Sequence, residues 1–338
     1  MTDPTSNRTV LVTGGTGFIA GWCIVDLLQR GYNVRTTVRS PSRESAVRAA
    51  VGVADERLKI FVADLAKDAG WDAAAAGCDF VLHVASPLLA YGESDLNAFL
   101  IPARDGTLRV LRAAVKAKVQ RVVMTSAAAT ARPRLESRQT STEDIWADSE
   151  DPQFNNYQIS KILAERAAWD FMRSAGGPTE FATVLPGAVF GPLLSRDNLR
   201  SVQIVGGMLK GKPPALPKVG FWVVDVRDLV DVHIQAMIRR EAAGQRFIAA
   251  GDYLWMSDIA EILRRELGPR AAKVSTRTMP TLVVKALAPF NSQLKFIAPL
   301  VGKRFEQSSD KAKQLLEFSP RSSTATVIDT ANSVLKFS

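Results

Sequence analysis

Two residues in the middle of the chain, Tyr157 and Lys161, have the types and the spacing that proton transfer requires. They lie four positions apart in a segment whose pattern predicts a helix, so both side chains share one helix face. An ammonium group beside a phenol lowers the pKa of the phenol toward neutrality, which makes the phenol a usable general acid. Because Tyr-x-x-x-Lys pairs are common on exposed helices, this chemistry depends on the elements around the pair.

A glycine-rich segment near the N-terminus has the pattern of a nucleotide-binding loop. It follows an apolar strand pattern at residues 10–12 and precedes a helical pattern at residues 18–30. Gly14 permits a tight turn, and Gly17 lets backbone amides approach a pyrophosphate at the helix N-terminus, where the helix dipole favours negative charge. A glycine loop alone can be an ordinary turn, but this context predicts dinucleotide binding by the segment Gly14-Gly15-Thr16-Gly17-Phe18-Ile19-Ala20.

The end of the second predicted strand indicates which dinucleotide binds. An acidic residue there would hold the ribose hydroxyls of NAD, whereas an arginine would pair with the 2′-phosphate of NADP. Here the strand ends at Val38 and is followed by Arg39, with Arg43 close behind. Arg39 can also be an ordinary solvent-facing arginine, as most arginines are. A guanidinium can both pair with a phosphate and stack on adenine, so we expect NADPH as the cofactor.

Strand and helix patterns alternate along the first half of the chain. Strands are predicted at residues 10–12, 33–38, 58–63, 80–85, 121–125 and 181–185, with helices at 18–30, 42–51, 107–118 and 156–174. This alternation predicts an α/β fold, a Rossmann-type doubly wound parallel sheet, with a smaller, mainly helical C-terminal substrate lobe. We expect an NADPH-binding domain over residues 1–186, to which residues 223–250 return, and a substrate-binding lobe over 187–338.

The bulk composition excludes several classes of protein. The 338 residues are 46% hydrophobic and 23% charged, which is typical of a packed core and not of a disordered chain. The formal charge of +9 comes from scattered basic residues, so a solvated basic surface is favoured over nucleic-acid binding. The N-terminus has no signal-peptide pattern, and no apolar run is long enough for a membrane span.

The two cysteines, Cys23 and Cys78, have neither the number of a disulfide framework nor the spacing of metal ligands. We therefore expect a cytoplasmic protein without a metal, a nucleic-acid partner or a membrane partner. Its partner would be a small-molecule carbonyl substrate, and the protein would be a monomer or a homodimer.

Taken in order, the motifs resemble those of the extended short-chain dehydrogenases/reductases. The resemblance is to the group of dihydroflavonol reductases, cinnamoyl-CoA reductases and related microbial ketone and aldehyde reductases. It extends over about residues 8–250 and includes the glycine loop, Val38-Arg39, Asp64-Leu65, His83-Val84-Ala85-Ser86-Pro87, Gly106-Thr107, Thr125-Ser126, Tyr157-Gln158-Ile159-Ser160-Lys161 and Val224-Asp225-Val226-Arg227-Asp228.

The resemblance implies roles for individual residues. Asp64 and Leu65 would contact the adenine, whereas Pro186 and Val189 would lie near the nicotinamide ring. The expected cofactor site thus consists of Gly14, Gly17, Phe18, Ile19, Arg39, Asp64, Leu65, Val84, Ala85, Ser86, Tyr157, Lys161, Pro186 and Val189. His83 lies in an apolar strand and is interpreted as a hydrogen-bonded core histidine rather than as a catalytic group.

The chain departs from the family pattern at one catalytic position. The group usually has Thr-Ser-Ser at the end of the fifth strand, and the second serine hydrogen-bonds the substrate carbonyl. Here the run reads Thr125-Ser126-Ala127, so an alanine occupies that position. Ser126 is the predicted replacement, with Thr125 and Thr130 as alternatives. Loss of one such donor costs about 3–4 kcal/mol of barrier when nothing replaces it.

These observations predict an NADPH-dependent carbonyl reductase that converts hydrophobic or aryl ketones or aldehydes into alcohols, with Tyr157 as general acid. The expected pocket walls are mostly apolar and consist of residues 87–89, the loop 126–133, residues 189–190 and residues 219–224. Two alternatives stay open. One is a nucleotide-sugar epimerase or dehydratase on the same scaffold, and the other is a dinucleotide-sensing regulator without turnover.

Overall fold

The computed structural model describes residues 7–52, 56–86, 95–290, 294 and 297–338. Its strands are β1 (Thr9–Val12), β2 (Asn33–Val38), β3 (Leu58–Val62), β4 (Phe80–His83), β5 (Arg121–Thr125), β6 (Glu180–Pro186), β7 (Ala188–Phe190), β8 (Leu216–Pro217), β9 (Gly220–Asp225), β10 (Arg246–Ala249), β11 (Tyr253–Trp255) and β12 (Thr278–Met279).

The helices of the same residues are α1 (Phe18–Gln29), α2 (Glu44–Val51), α3 (Trp71–Ala75), α4 (Leu96–Leu100), α5 (Gly106–Lys116), α6 (Asn156–Ala175), α7 (Gln203–Leu209), α8 (Val226–Ile238), α9 (Met256–Leu267), α10 (Thr281–Leu287), α11 (Asp310–Leu316) and α12 (Ser323–Phe337). A wider π-helical turn, Ile101–Asp105, joins α4 to α5.

The central sheet has seven strands in the order β10-β6-β5-β4-β1-β2-β3. All its pairings are parallel, and β1 pairs with β2 on one side and with β4 on the other. The chain therefore winds outward from β1 in both directions, which opens a ligand crevice beyond the carboxyl ends of β1 and β4. The predicted doubly wound, Rossmann-type fold is confirmed.

Both faces of this sheet are covered, as a parallel sheet requires. Strand β4 shows the alternation: Phe80 and Leu82 pack into the cluster that includes α1 and α8, whereas Val81 packs into the cluster that includes α3 and α5. Because successive strand residues point to opposite faces, one short apolar strand contributes to both layers of the core.

The second lobe is built on a smaller three-stranded sheet, β11-β9-β7, and on helices α7, α9 and α12, which share a separate apolar cluster. The segment 223–250 returns to the central sheet through α8 and β10, but its first residues lie in β9 of the smaller sheet. The domain boundary at residue 186 stays a prediction.

Side chains from two loops cover the outer edge of β10. The Glu143 carboxylate accepts a hydrogen bond from the backbone N–H of Ile248 at 2.9 Å. The Ser309 hydroxyl accepts from the N–H of Ala250 at 3.2 Å and donates to the carbonyl of the same residue at 2.9 Å. Backbone groups that an edge strand would leave unpaired are therefore bonded within the chain.

Within the described ranges, no helix is long and apolar enough to cross a membrane, and no group of three or more His, Cys, Asp or Glu side chains is arranged to hold a metal ion. Cys23 and Cys78 are both buried and are not joined in a disulfide. Of the expected pocket walls, residues 87–89 lie outside the described residues.

Candidate active site

The glycine loop has the geometry that a pyrophosphate requires. Gly14 has a φ of +77°, and a Cβ placed there would lie 3.0 Å from the Cβ of Ala85. Gly17 is the residue that precedes α1, and no side chain caps this helix. The first N–H groups of α1 therefore have no side-chain partner, and together with the helix dipole they form a site suited to an anion.

A buried hydrogen-bonded chain holds the loop against the end of β4. The Thr13 hydroxyl lies 3.0 Å from Nδ1 of His83, and Nε2 of His83 lies 3.0 Å from the Thr107 hydroxyl. Thr107 donates its own proton to the Ala103 carbonyl at 2.6 Å, so it accepts from His83, whose proton is consequently on Nε2. Burial lowers the pKa of His83 to about 3, so the ring is neutral. The interpretation of His83 as a bonded core residue is confirmed.

The same threonine fixes two of the expected cofactor-lining residues. The Thr13 hydroxyl accepts hydrogen bonds from the backbone N–H groups of Val84 at 3.1 Å and of Ala85 at 2.9 Å. Ser86 follows directly and is the last described residue before the gap. The backbone after β4 is thereby held opposite the glycine loop, across the crevice between β1 and β4.

At the far end of the crevice, Arg39 follows β2, is exposed, and takes part in no hydrogen bond or ion pair in the described part of the chain. Arg43, in contrast, pairs with Asp197. Leu65 packs closely on Gly106, because a Cβ added at residue 106 would lie only 2.6 Å from the Cβ of Leu65. Arg39 is therefore the available cation beside the predicted adenosine position.

Tyr157 and Lys161 lie in the first two turns of α6, which begins with a reciprocal cap between Asn155 and Gln158. The Tyr157 ring meets the ring of Phe99 edge to face, with 6.4 Å between the centroids. No hydrogen bond of the described residues involves the Tyr157 hydroxyl. The Lys161 ammonium donates to the Thr125 carbonyl at 2.8 Å, which fixes α6 to the end of β5.

The pKa of the phenol differs from the expectation. Burial raises the pKa of Tyr157, and no effect of Lys161 on it is found. Burial lowers the pKa of Lys161 to about 8, although the nearby Glu165 acts in the opposite direction. The expected lowering fails because desolvation dominates and the ammonium is bonded to a backbone carbonyl instead. A phenol that keeps its proton at neutral pH is still suited to donating it.

One turn beyond Lys161, the fully buried carboxylate of Glu165 joins several strands. It accepts hydrogen bonds from Ser126 at 2.6 Å, from Thr183 at 2.8 Å and from Nε of Arg246 at 2.9 Å. Burial alone would raise the pKa of Glu165, but the Arg246 guanidinium and these hydrogen bonds hold it below its usual value. The carboxylate is thus ionised and satisfied by β5, β6 and β10 together.

This network removes Ser126 from the position predicted for it. The Ser126 side chain is buried and donates to Glu165, so its proton is not available to a substrate carbonyl. The alternatives are also engaged, since Thr125 bonds His233 at 2.7 Å and Thr130 donates to the Ala127 carbonyl at 2.8 Å. Ala127 itself is partly exposed at the end of β5. The structure therefore argues against each of the three hydroxyls as the carbonyl donor.

Sequence reasoning missed Glu165 and Arg246. A signal for Glu165 was present, because it lies four positions after Lys161 and eight after Tyr157, on the same helix face. Nothing near Arg246 in the chain indicates its partner, which lies 81 residues away.

The remaining predicted residues border the same edge of the sheet. Pro186 ends β6 and pairs in register with Ala249, and Val189 of β7 pairs with Val224 of β9. A Cβ at Gly187 would lie 2.2 Å from the Trp222 carbonyl oxygen, so β9 approaches the end of β6 very closely. The structure thus brings the expected residues together at the carboxyl edge; their binding roles stay predictions.

Comparison with known proteins places this site in a family. The model of the NAD dependent epimerase/dehydratase family matches residues 10–250. Tetraketide alpha-pyrone reductase 2 of Arabidopsis thaliana is 35% identical over 265 residues, which is 76% of this chain and 82% of the relative. Anthocyanidin reductase ((2S)-flavan-3-ol-forming) of Vitis vinifera is 32% identical over 279 residues, 78% of this chain and 82% of the relative.

A solved structure is similar over nearly the whole length. Yeast Gre2, a methylglyoxal/isovaleraldehyde reductase crystallised in complex with NADPH, superposes with a TM-score of 0.81 at 28% identity and covers 98% of this chain and 99% of its own. The chain belongs to the NAD dependent epimerase/dehydratase family, the extended short-chain dehydrogenases/reductases. It is an oxidoreductase of this type, and its cofactor is a nicotinamide dinucleotide, as the sequence predicts.

The role of Ser126 as an internal donor can be measured through stability. Ser126→Ala leaves the buried Glu165 carboxylate with one donor fewer, so it should lower the free energy of unfolding by about 1–3 kcal/mol. Ser174→Ala, at an exposed position near the end of α6, should change it by less than about 0.5 kcal/mol. Chemical denaturation of both variants gives the comparison, and equal effects would contradict the network.

Proposed function

We propose that this protein is an NADPH-dependent carbonyl reductase that reduces hydrophobic or aryl ketones or aldehydes to alcohols. The observation that carries the proposal is the Tyr157 hydroxyl, which has no hydrogen-bond partner in the described structure, on a helix fixed to the end of β5. A proton donor without a partner, at the same carboxyl edge of the sheet as the glycine loop, is suited to meeting a carbonyl oxygen beside a nicotinamide ring.

The residues of the loop and of β2 would hold the cofactor. The N–H groups at the start of α1 would bind the pyrophosphate, and Arg39 would supply the charge for a 2′-phosphate. The bound cofactor supplies a hydride to the carbonyl carbon. The neutral His83 chain keeps the Val84 and Ala85 backbone in position along the other side of the crevice.

The catalytic residues would act on the oxygen of the substrate. Tyr157 donates its proton to the oxygen as negative charge develops there, and its raised pKa keeps that proton in place until then. The Lys161 ammonium, charged below a pKa of about 8, lies one turn away on the same helix and would bind the ribose of the bound cofactor. The hydrogen bonds of Glu165 fix the position of Lys161 relative to the end of β5.

The alternatives are less well supported. An epimerase or dehydratase that acts on nucleotide sugars needs polar residues for a diphosphate in the second lobe, whereas the cluster under β9 there is apolar. The matched relatives named above are reductases, which favours net reduction. A regulator without turnover has no need of an unpartnered phenol beside a buried ammonium.

Removal of the phenol tests the proton donor. Tyr157→Phe keeps the ring and its packing on Phe99 but lacks the proton, so kcat should fall by about 10²–10⁴-fold with a small change in the NADPH dissociation constant. Turnover is followed by NADPH absorbance with aryl ketones and aldehydes, and binding by cofactor fluorescence. Wild-type turnover in this variant would exclude Tyr157 as the acid.

Arg39 tests the choice of cofactor. Arg39→Gln removes the charge opposite the 2′-phosphate, so the affinity for NADPH should drop by about 10–100-fold while that for NADH stays constant. Arg48→Gln, in the following helix α2 and paired with Glu44, serves as the control and should change the affinity for neither cofactor. Titration of each variant with NADPH and with NADH measures the two affinities. An equal loss of affinity for both cofactors in Arg39→Gln would refute a contact with the 2′-phosphate.

A serine at position 127 would supply the hydroxyl that the chain lacks. Ala127→Ser places a donor where the family has one, so kcat should rise by up to about 10²-fold. Ala128→Ser adds the same group one residue further and should have little effect. An unchanged or lower kcat for the first variant would mean that carbonyl orientation is already provided by another group.

A further inference from the structure

Arg132 lies in the loop after β5 with an unusual lack of partners. Its guanidinium carbon is 4.6 Å from the centre of the Phe305 ring and 5.6 Å from the centre of the Phe154 ring. Its Nη1 is buried and has no hydrogen-bond partner. Burial lowers the pKa of Arg132 to about 10, so the group is still charged at neutral pH. Buried N–H groups of a cation are normally paired, and the Nη1 of this partly exposed arginine is not.

The neighbouring carboxylate does not supply the missing partner. Tyr253 and Asp151 act on the pKa of Arg132 only through charge, and no hydrogen bond or ion pair of the described residues joins either of them to the guanidinium. The two Asp151 oxygens accept from the backbone N–H of Gln153 at 3.0 Å and from its side-chain amide at 2.8 Å. The aromatic rings contact the guanidinium but offer it no hydrogen-bond acceptor. The aromatic rings therefore stabilise the planar faces of the guanidinium, whereas its N–H groups have no acceptor among the described residues.

Two further polar groups near Arg132 lack partners. Gln153 is only 6% exposed; its Nε2 donates to the Pro133 carbonyl at 3.3 Å, and its Oε1 has no partner. Gln307, two residues beyond Phe305, has an unpaired buried Nε2. Unpaired buried polar groups are uncommon. Two of these atoms, Arg132 Nη1 and Gln307 Nε2, are donors and point to a ligand that supplies an acceptor, whereas Gln153 Oε1 is an acceptor and does not bond such a ligand.

This cluster lies on the substrate side of the sheet. Phe154 precedes Tyr157 by three residues at the start of α6. The carbonyl of Phe305 accepts a hydrogen bond from the Trp222 indole at 2.7 Å. Trp222 packs against the cluster that includes Leu185, near the carboxyl end of β6, and Ala250, which directly follows β10. Arg132 is thus the charged residue within the otherwise apolar loop 126–133 that the sequence places beside the substrate.

We propose that Arg132 binds an anionic group of the substrate, so that the preferred substrates are carbonyl compounds with a hydrophobic body and a carboxylate. The inference rests on the proposed reductase function and specifies its substrate class. A carboxylate matches the planar edge of a guanidinium in a two-point contact, and the two rings contact this guanidinium without supplying an acceptor to its N–H groups. The unpaired side-chain amide of Gln307, two residues after Phe305, is a second hydrogen-bond donor in this cluster.

A matched pair of substrates measures the preference. We choose 4-formylbenzoate and its methyl ester, which share the aldehyde and differ in one negative charge. Arg132→Gln should lower kcat/KM for the acid by at least about 30-fold, mainly through KM, and change that for the ester by less than about 3-fold. Arg134→Gln, an exposed arginine paired with Asp148, is the control and should leave both substrates unaffected.

The result that would overturn the proposal is an equal loss for acid and ester in Arg132→Gln. Such a loss would mean that the guanidinium only packs between the rings. A lowered thermal midpoint with an unchanged ratio of the two kcat/KM values would have the same meaning, and so would a wild-type enzyme that prefers the ester.

Equilibrium binding separates this proposal from the reductase function. Calorimetry on the NADP⁺-loaded protein compares benzoate with benzamide, and wild type should bind benzoate more tightly, a preference that Arg132→Gln loses. That result without turnover of any carbonyl would refute the reductase and keep the anion subsite. Turnover of the ester without benzoate binding or acid preference would keep the reductase and refute the subsite.

Discussion

The ionised carboxylate of Glu165 is the point on which the geometry of the site depends. It is bonded by Ser126, which directly follows β5, and by residues of β6 and β10. Its helix also holds Tyr157 and Lys161, so these bonds fix the catalytic face of α6 against the sheet. A buried ion pair adds little net stability over an apolar contact, but loss of one partner costs about 3–5 kcal/mol. The ion pair with Arg246 thus favours this arrangement of α6 on the sheet, because an arrangement that separates the pair leaves a buried charge unpaired.

The sheet and the cofactor loop could be predicted because their signals are local. Strand periodicity located β1 to β6 to within one or two residues, and the loop at Gly14 needs only its own conformation and the next helix. No helix was predicted over residues 226–238, where α8 lies. Apolar and polar residues are interspersed over residues 226–238, so the apolar helix face that packs on the sheet is not evident from the sequence.

Side-chain assignments were less predictable because they depend on distant partners. Ser126 is a sound candidate in sequence, but its hydroxyl is used by a residue 39 positions later, and Thr125 bonds one 108 positions later. A hydroxyl is available to a substrate only when nothing in the fold competes for it, and competition is a property of the folded chain. The pKa of Tyr157 followed the same rule, since burial outweighed a charge that was assumed to face it.

The side-chain bonds along β10 have a consequence for the behaviour of the protein at high concentration. An uncovered margin of a β-sheet can recruit a strand from a second molecule, which is a common first step toward aggregation. At Ile248 and Ala250 an incoming strand would have to displace Glu143 and Ser309 before it could bond the backbone. Strand recruitment is therefore blocked on this side, and lengthening of the sheet between molecules would have to begin at β3.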